Sequence, residues 1–363
     1  MSTGPVLATS SITAAERAAF EHAIDMARMG LGSTKANPCV GAVVLDRDGA
    51  VVGTGRTEPH SAVAAGRHAE VVALDAAGER ARGGTLVCTL EPCNGTGRTG
   101  PCVEVVLAAG VARLVYAVTD PLPRFGGGAA RLAAAGVAVL HDLPADLMAA
   151  ARTVHRPWLV AAGRGWPYVT VKLAASLDGR AAAADGSSQW ITSVAARADA
   201  QLLRSRVDAI VVGSGTVLAD DPHLTVRGTP ELRTPLRVVL DTRGRVPATA
   251  RVLDEAAPTL LVREGHDLPR LARRLCARHG VRHLLVEGGP AVAGSFLAAG
   301  LVDEVVAYLA PALLGDGPAA VVTRSFPTIA DAVRLVITDV TRVGPDVRLT
   351  ADVQPAGNGQ EES

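Results

Sequence analysis

The sequence predicts an α/β protein of two domains, the second built on a mixed sheet, and three observations carry that prediction. Apolar runs of strand length alternate with stretches of helical spacing along the whole chain. A Gly/Pro-spaced connector, Arg156-Pro157-Trp158 through Gly163-Arg164-Gly165-Trp166-Pro167, breaks the alternation near the middle. At its C-terminal end, Leu335–Asp339 and Val347–Val353 flank the turn Val343-Gly344-Pro345-Asp346 as a β-hairpin, which a purely parallel sheet would not contain. With 363 residues there is length for two cores, expected over 14–156 and 166–354.

The elements follow in order. Residues 14–30 have helical spacing, with Ala18, Ile24, Ala27 and Leu31 on one side. Val40–Leu45 and Ala50–Gly55 flank Asp46-Arg47-Asp48-Gly49 as a hairpin. His68–Ala76 opens a helix, Thr85–Thr89 is a strand, and Pro101–Ala109 is a helix closed by Gly110. Pro92 and Pro101 each suit a first helical turn, where free N–H groups favour thiolate over thiol. Leu114–Val118 is the next strand and Ala129–Ala135 the next helix. Beyond the connector, strands are expected at Tyr168–Leu173, Ala209–Val212, Arg237–Leu240, Thr259–Val262, His283–Val286 and Glu304–Leu309; residues 355–363 read as a polar tail.

Composition narrows the function classes. Aromatics are 3% of a chain that is 48% hydrophobic, so the cores are Ala, Val and Leu. The 36 basic and 36 acidic residues cancel, and no basic stripe interleaves with aromatics, which argues against a nucleic-acid partner. Five cysteines form no disulfide framework, and Cys39, Cys88 and Cys276 sit in apolar runs; a reducing cytoplasm is expected. Met1 to Thr13 lacks the pattern of an export signal, and no apolar run has membrane-spanning length. Only Lys35 and Lys172 are lysine among the basic residues. Lysine is a compact charge whose pKa burial can tune, so a lysine kept against an arginine bias is a functional lead.

The sharpest constellation is His68 and Glu70 in His68-Ala69-Glu70, answered by Glu91-Pro92-Cys93 and Pro101-Cys102. One imidazole and two thiolates leave the fourth tetrahedral position of a zinc ion open, as catalytic rather than structural sites do. A structural knuckle would need a fourth Cys or His at ligand spacing, and none is there. Glu70, beside the open position, can take a proton from water and return one to a leaving amine. This is the zinc deaminase signature. Cys93 and Cys102 stand nine positions apart, where nucleic-acid and nucleoside deaminases have Cys-x-x-Cys. The intervening Asn94-Gly95-Thr96-Gly97-Arg98-Thr99-Gly100 offers an arginine and backbone N–H groups to a small phosphorylated substrate. Asn37, in Asn37-Pro38, is either a contact to a heterocycle edge or a turn residue. In the second half, Gly213-Ser214-Gly215 lacks the third glycine of a dinucleotide fingerprint. Strand 283–286 running into Glu287-Gly288-Gly289-Pro290 and a helix over Ala291–Ala299 is a better phosphate cradle.

These motifs together resemble the bifunctional riboflavin-biosynthesis deaminase/reductase family: His68-Ala69-Glu70-Val71, Glu91-Pro92-Cys93 with Cys102, and Asn37-Pro38-x-Val40-Gly41 in the first half; Lys172 to Arg180, Ser188-Gln189-Trp190-Ile191-Thr192, Gly215 to Pro222 and Val286 to Pro290 in the second. The resemblance covers about residues 14–350. It implies a cytidine-deaminase-like α/β/α domain followed by a dihydrofolate-reductase-like α/β domain. The implied chemistry is loss of the 2-amino group from a diaminopyrimidinone ribosylamine phosphate, then NADPH-dependent reduction of the ribose to a ribityl chain.

Carried over by position, His68, Cys93 and Cys102 hold one zinc and Glu70 moves protons, while Asn37, Arg98 and His60 (one residue out of register) contact the deaminase substrate. Ala174, Trp190, Thr216, Asp220, Thr242 and the run Gly289, Pro290, Ala291, Val292, Ala293, Gly294, Ser295 line NADPH. Ser188, Arg204, Leu224, Arg227 and Glu287 form the sugar-phosphate site, with Lys172 and Asp178 at its floor and Lys172 the candidate acid. The chain departs from the family pattern at Gly95 (histidine there), Gly100 (proline) and Leu122 (asparagine), which puts phosphate affinity in question. The competing expectations are a reductase carrying a degenerate deaminase domain, and a nucleic-acid deaminase fused to a binding module. Oligomeric state, a homo-oligomer included, is left open.

Overall fold

The computed structural model describes residues 11–34, 36–59, 66–97, 99–227, 234–265 and 267–354. It divides into two compact units, the first ending at Arg164 and the second beginning at Gly165.

In the first unit, α1 (Ala14–Gly30) starts on a capping box. The Thr13 hydroxyl accepts the Glu16 N–H at 3.2 Å and the Glu16 carboxylate accepts the Thr13 N–H at 2.8 Å. The helix is as expected but its buried face is not. Phe20, Ala23, Ile24 and Ala27 turn inward while Ala18 is exposed, because the bulky Phe20 sets the helical phase. Next come β1 (Gly41–Leu45), β2 (Val51–Arg56), α2 (Ala69–Ala77), β3 (Thr85–Leu90), α3 (Cys102–Ala109), β4 (Arg113–Val118), α4 (Gly128–Ala134), β5 (Ala138–Leu140) and α5 (Ala145–Arg164). The sheet order is β2-β1-β3-β4-β5, with β1 antiparallel to both neighbours and the rest parallel. Val43, Val44, Leu86, Val87, Leu114 and Val115 are fully buried, each worth ~1.5–3 kcal/mol of transfer from water.

The expected connector at Arg156 is a helix. Pro157 forfeits one backbone N–H, yet α5 continues to Arg164 because Ala151, Val154 and Trp158 seat its face in the core.

The second unit holds β6 (Tyr168–Ser176), α6 (Val194–Ser205), β7 (Ala209–Gly213), α7 (Ser214–Asp220), β8 (Leu236–Leu240), β9 (Thr259–Val262), α8 (Leu268–His279), β10 (His283–Val286), α9 (Pro290–Ala298), β11 (Glu304–Ala310), β12 (Leu335–Val343) and β13 (Asp346–Val353). Its order is β12-β13-β11-β6-β10-β7-β8-β9. From β9 to β11 the strands run parallel, and β13 and β12 add antiparallel, so the mixed sheet expected from the hairpin is present. Insertion of β10 between β6 and β7 brings the C-terminal ends of these three strands together, the crevice in which open α/β sheets place ligands. Among the described residues no helix is long and apolar enough to cross a membrane.

Candidate functional site

In the first unit, three elements converge. His68 is the N-cap of α2, Cys102 is the first residue of α3, and Cys93 lies in the irregular segment after β3. Thus two ligands sit at helix starts, but the expected helix at Pro92 is absent, and Pro101 is an N-cap rather than a first-turn residue. His68 Nδ1 lies 3.1 Å from Cys102 Sγ and 3.6 Å from Cys93 Sγ. The Cys102 N–H donates to Cys93 Sγ at 3.3 Å. All three donor atoms lie within 4.8 Å of one another. Cys93 is held toward thiolate by hydrogen bonds from Cys102 and His68, whereas Cys102, on the proton-bearing side of that contact and buried, is pushed up. A divalent cation between them supplies the charge that lets both sulfurs ionise, so the donor set fits zinc with one position open.

Glu70 occupies the first turn of α2 at 3% exposure, and its Oε2 is buried with no hydrogen-bond partner among the described residues. Burial raises its pKa, the direction a proton carrier needs. Glu91, the acid of Glu91-Pro92-Cys93, does different work. Its carboxylate accepts the N–H groups of Asp120 (3.1 Å) and Ala129 (3.0 Å), pinning the ligand segment to the next loop.

Sequence reasoning missed Thr99, whose Oγ1 lies 3.3 Å from His68 Nε2 and so favours the ring orientation with Nδ1 toward the sulfurs. It also missed α5, where Trp158 Nε1 donates to Ala36 O at 3.1 Å beside Asn37. Thr34 Oγ1 fixes Asn37 O from the other side at 2.8 Å. The Thr99–His68 and Trp158–Ala36 pairings have no local signature. His60 and Arg98 lie outside the described residues.

The departure at Gly95 has a steric counterpart in the 120–126 loop. A Cβ at Gly95 would stand 2.1 Å from Arg124 O, and the Asn94 N–H donates to Phe125 O at 2.8 Å. The 120–126 loop therefore fills the place a side chain at Gly95 would need. Gly100 has open space around it.

In the second unit, Lys172 and Ala174 point to one face of β6, and Glu287 follows β10 next to it. Arg204, from α6, holds Glu287 in a two-point pair, Nε to Oε1 at 2.6 Å and Nη2 to Oε2 at 2.7 Å. That pair keeps Glu287 ionised against its burial, and it occupies one edge of the guanidinium expected to be free for phosphate. The Lys172 ammonium makes no hydrogen bond or ion pair within the described residues. Burial lowers its pKa, Glu287 and Asp220 oppose that, and Arg204 adds to it.

Asp178, expected at the floor beside Lys172, is committed to other partners. Asp178 accepts from Ser176 Oγ at 2.5 Å, Leu314 N at 3.1 Å and Gly315 N at 2.8 Å, and those bonds hold its carboxyl down to about 2.

The cofactor candidates gather at the strand ends. Thr216, on α7, accepts the Gly289 N–H at 3.1 Å and so links the Gly-rich turns of β7 and β10. Trp190 is 67% exposed with the Arg197 guanidinium 4.3 Å over its ring, and Gln189 Nε2 donates to Asp220 Oδ1 at 3.2 Å. Thr242 follows Asp241, whose buried carboxylate accepts the Arg245 and Val246 N–H groups. Gly288 is boxed in by Val292, which a Cβ would meet at 2.6 Å, so the turn packs closely on α9.

The cradle over 289–295 offers fewer N–H groups than the sequence promises. Val292 and Ala293 donate to Gly289 O, Pro290 has no N–H, and Gly289 is committed to Thr216. Ala293 is fully buried and Gly294 abuts Val322 O, so both face the fold; Ala291 and Ser295 are exposed. Ser188 is half-buried, Leu224 is buried, and the Arg227 N–H is fixed by Gln201 Oε1 at 3.1 Å.

A three-donor metal site beside a buried glutamate with one unpartnered oxygen, on one α/β unit, and Gly-rich turns meeting at the switch point of a mixed sheet, on another, define an enzyme that joins a zinc deaminase to a reductase of nucleotide-binding type. Comparison with known proteins agrees with that class and narrows it. Residues 13–118 match the cytidine and deoxycytidylate deaminase zinc-binding region, and residues 167–349 match the RibD C-terminal domain. The riboflavin biosynthesis protein RibD of Mycobacterium tuberculosis is 47% identical, over 94% of this chain and 97% of that protein. That of Escherichia coli is 41% identical, over 90% and 96%. The solved structure of Acinetobacter baumannii RibD aligns with TM-score 0.84 and 36% identity, over 94% of this chain and 99% of that one. A Thermotoga maritima structure described as a diaminohydroxyphosphoribosylaminopyrimidine deaminase/5-amino-6-(5-phosphoribosylamino)uracil reductase aligns with TM-score 0.84 and 28% identity, over 94% and 99%. The chain belongs to the RibD family of riboflavin biosynthesis proteins.

Proposed function

We propose that this chain catalyses two consecutive steps of riboflavin synthesis: hydrolytic deamination of 2,5-diamino-6-(5-phosphoribosylamino)pyrimidin-4(3H)-one, then reduction of the ribosyl group by NADPH to give 5-amino-6-(5-phosphoribitylamino)uracil. The observation that carries the reading is the assembled donor set His68, Cys93 and Cys102 with the orphaned Glu70 Oε2, on the same chain as the Lys172–Arg204–Glu287 cluster. It disfavours the reductase-only alternative, since a degenerate deaminase domain has no reason to keep a buried carboxylate oxygen without a partner.

In the first unit, His68, Cys93 and Cys102 hold zinc, which when bound supplies Lewis-acid charge that acidifies water. Glu70 Oε2 is placed to take a proton from the attacking water and deliver one to the departing amine, so the amine leaves as ammonia and a carbonyl remains. Asn37, its backbone fixed by Thr34, reads the edge of the base; Arg98 and His60 contact the rest of the substrate. In the second unit, Trp190, Thr216, Asp220, Thr242, Ala174 and the Gly289–Val292 turn hold NADPH, which supplies hydride. The Gly-rich turns fit it: linked strand ends with closely packed backbone admit a pyrophosphate that bulkier turns would block. Ser188, Leu224, Arg227 and the remaining N–H groups of Arg204 orient the sugar phosphate, with Glu287 steadying Arg204. Lys172, a half-buried ammonium with a lowered pKa, donates the proton that balances hydride addition at C1′.

The test is to supply the diaminopyrimidine ribosylamine phosphate with and without NADPH. Ammonia with the uracil product is expected without NADPH, and the ribityl product with it; ammonia release that fails in zinc-loaded protein while reduction proceeds would restore the reductase-only alternative.

A further inference from the structure

We propose that Arg237, acting through Asp254 and His223, is the positioning residue for the reductase's substrate loop, residues 221–227. The inference rests on the reading of Leu224 and Arg227 as sugar-phosphate contacts and assigns what aims them.

Arg237 lies on β8 and is 0% exposed, the largest fully buried side chain described. A guanidinium does not give up its proton, so burial calls for acceptors; its two terminal nitrogens have them, while Nε has none among the described residues. Nη1 donates to Asp254 Oδ1 at 2.7 Å and to His223 O at 3.2 Å; Nη2 donates to Asp254 O at 2.5 Å and to Ala257 O. The other Asp254 oxygen stands 2.9 Å from His223 Nδ1. One buried cation therefore holds His223 twice, at its carbonyl and, through the carboxylate, at its ring. The hydrogen bond from Arg237 keeps the Asp254 carboxyl below its ordinary range, so the link is an ionised one.

The backbone around His223 is the kind that needs such a hold. Asp221 (φ 38°) and Leu224 (φ 53°) are the non-glycine residues with positive φ among those described, a conformation that persists only where the surroundings over-determine it. Asp221 is clamped by the Arg251 N–H at 2.8 Å and Arg251 Nε at 3.0 Å. Leu224 is 3% exposed, packed with Ile210, Val212 and Val217. The loop thus leaves α7, on the cofactor side, and is bent by two anchors on residues 251–257 before it reaches Arg227. A hydrophobic residue at Arg237 would meet the demand for burial equally well. What it would lack is the directional grip on His223, so the arginine's contribution is geometric.

The test uses the full-length protein and NADPH-dependent reduction of the deaminated phosphoribosylamino pyrimidine. His223→Ala should raise the KM for that substrate about tenfold, since small misplacement of a binding group is costly. Its kcat should change by no more than about twofold, with NADPH affinity intact. His223→Asn, which keeps a donor near the Nδ1 position, should recover most of the loss. Arg237→Met should show the same rise in KM; if it fails to fold, the His223 pair decides. Arg227→Ala serves as the reference. A raised KM there with a normal KM in His223→Ala overturns the positioning role alone, as does a lower melting temperature in His223→Ala with KM unmoved. A normal KM in Arg227→Ala removes the underlying substrate reading and the proposal with it.

Discussion

Replacing Lys172 with arginine preserves the charge and should still damage the reductase. The half-buried ammonium sits midway along β6 near Glu287, Arg204 and Asp220, with Glu287 already gripped by Nε and Nη2 of Arg204. A guanidinium there is larger and planar, and it must compete with Arg204 for the same carboxylate. Overfilling a packed site costs about 1–3 kcal/mol. Loss of a well-placed acid costs roughly 10²–10⁴ in rate. Only part of either penalty need reach the transition state for turnover to fall at least about tenfold, or about 1.4 kcal/mol. The alternative that Lys172 balances Asp178 is already disfavoured, because that carboxylate is committed to Ser176, Leu314 and Gly315.

The pH dependence sharpens the test. Burial lowers the Lys172 pKa below its ordinary 10.5, so a protonated Lys172 is lost as pH rises through that lowered value, and wild-type kcat should fall on the alkaline side. Arginine stays protonated, so the alkaline limb should disappear in the variant. The assay is steady-state NADPH oxidation with the deaminated intermediate across pH, with ammonia release from the deaminase substrate as the control. Near-normal turnover and an unchanged alkaline limb in the variant would refute Lys172 as the acid.

Glu70→Gln should keep zinc and lower deamination by roughly 10²–10⁴, with reduction untouched; normal ammonia release would remove the proton-carrier role. Thr99→Val should weaken zinc binding about 10–100-fold in chelator competition, because His68 loses the partner of its outer nitrogen, and unchanged affinity would count against that role. His155 is buried with its pKa depressed from 6.5 to about 4, so the unfolded chain binds the extra proton below pH 6.5. Stability of the first unit should therefore be full above pH 6.5 and fall by about 3 kcal/mol as pH drops toward 4, and His155→Gln should flatten that slope in chemical denaturation. Finally, a fragment beginning at Gly165 should bind NADPH by itself, measured by nucleotide fluorescence; binding by the intact chain alone would place part of the cofactor site before that residue.

The sequence by itself determined the chemistry of the first unit. Zinc imposes ligand types and a spacing, and His68, Glu70, Cys93 and Cys102 satisfy both within 35 residues, a stretch short enough for motif reasoning. Most strands of both sheets were legible too, since alternation of apolar runs reports local backbone preference. Pairings between distant segments were not. That Asp178 serves the 314–315 backbone rather than Lys172, that Gly95 is empty because Arg124 O fills its space, and that α5 continues through Pro157 are decided by which surfaces meet. The N–H count at Gly289–Ala293 depended on Thr216, 73 residues away, and the hold of Arg237 on His223 on a carboxylate 17 residues further along the chain. Local propensity carries no information about such partners. They are fixed when burial forces each polar group to find an acceptor or donor wherever the packed chain supplies one.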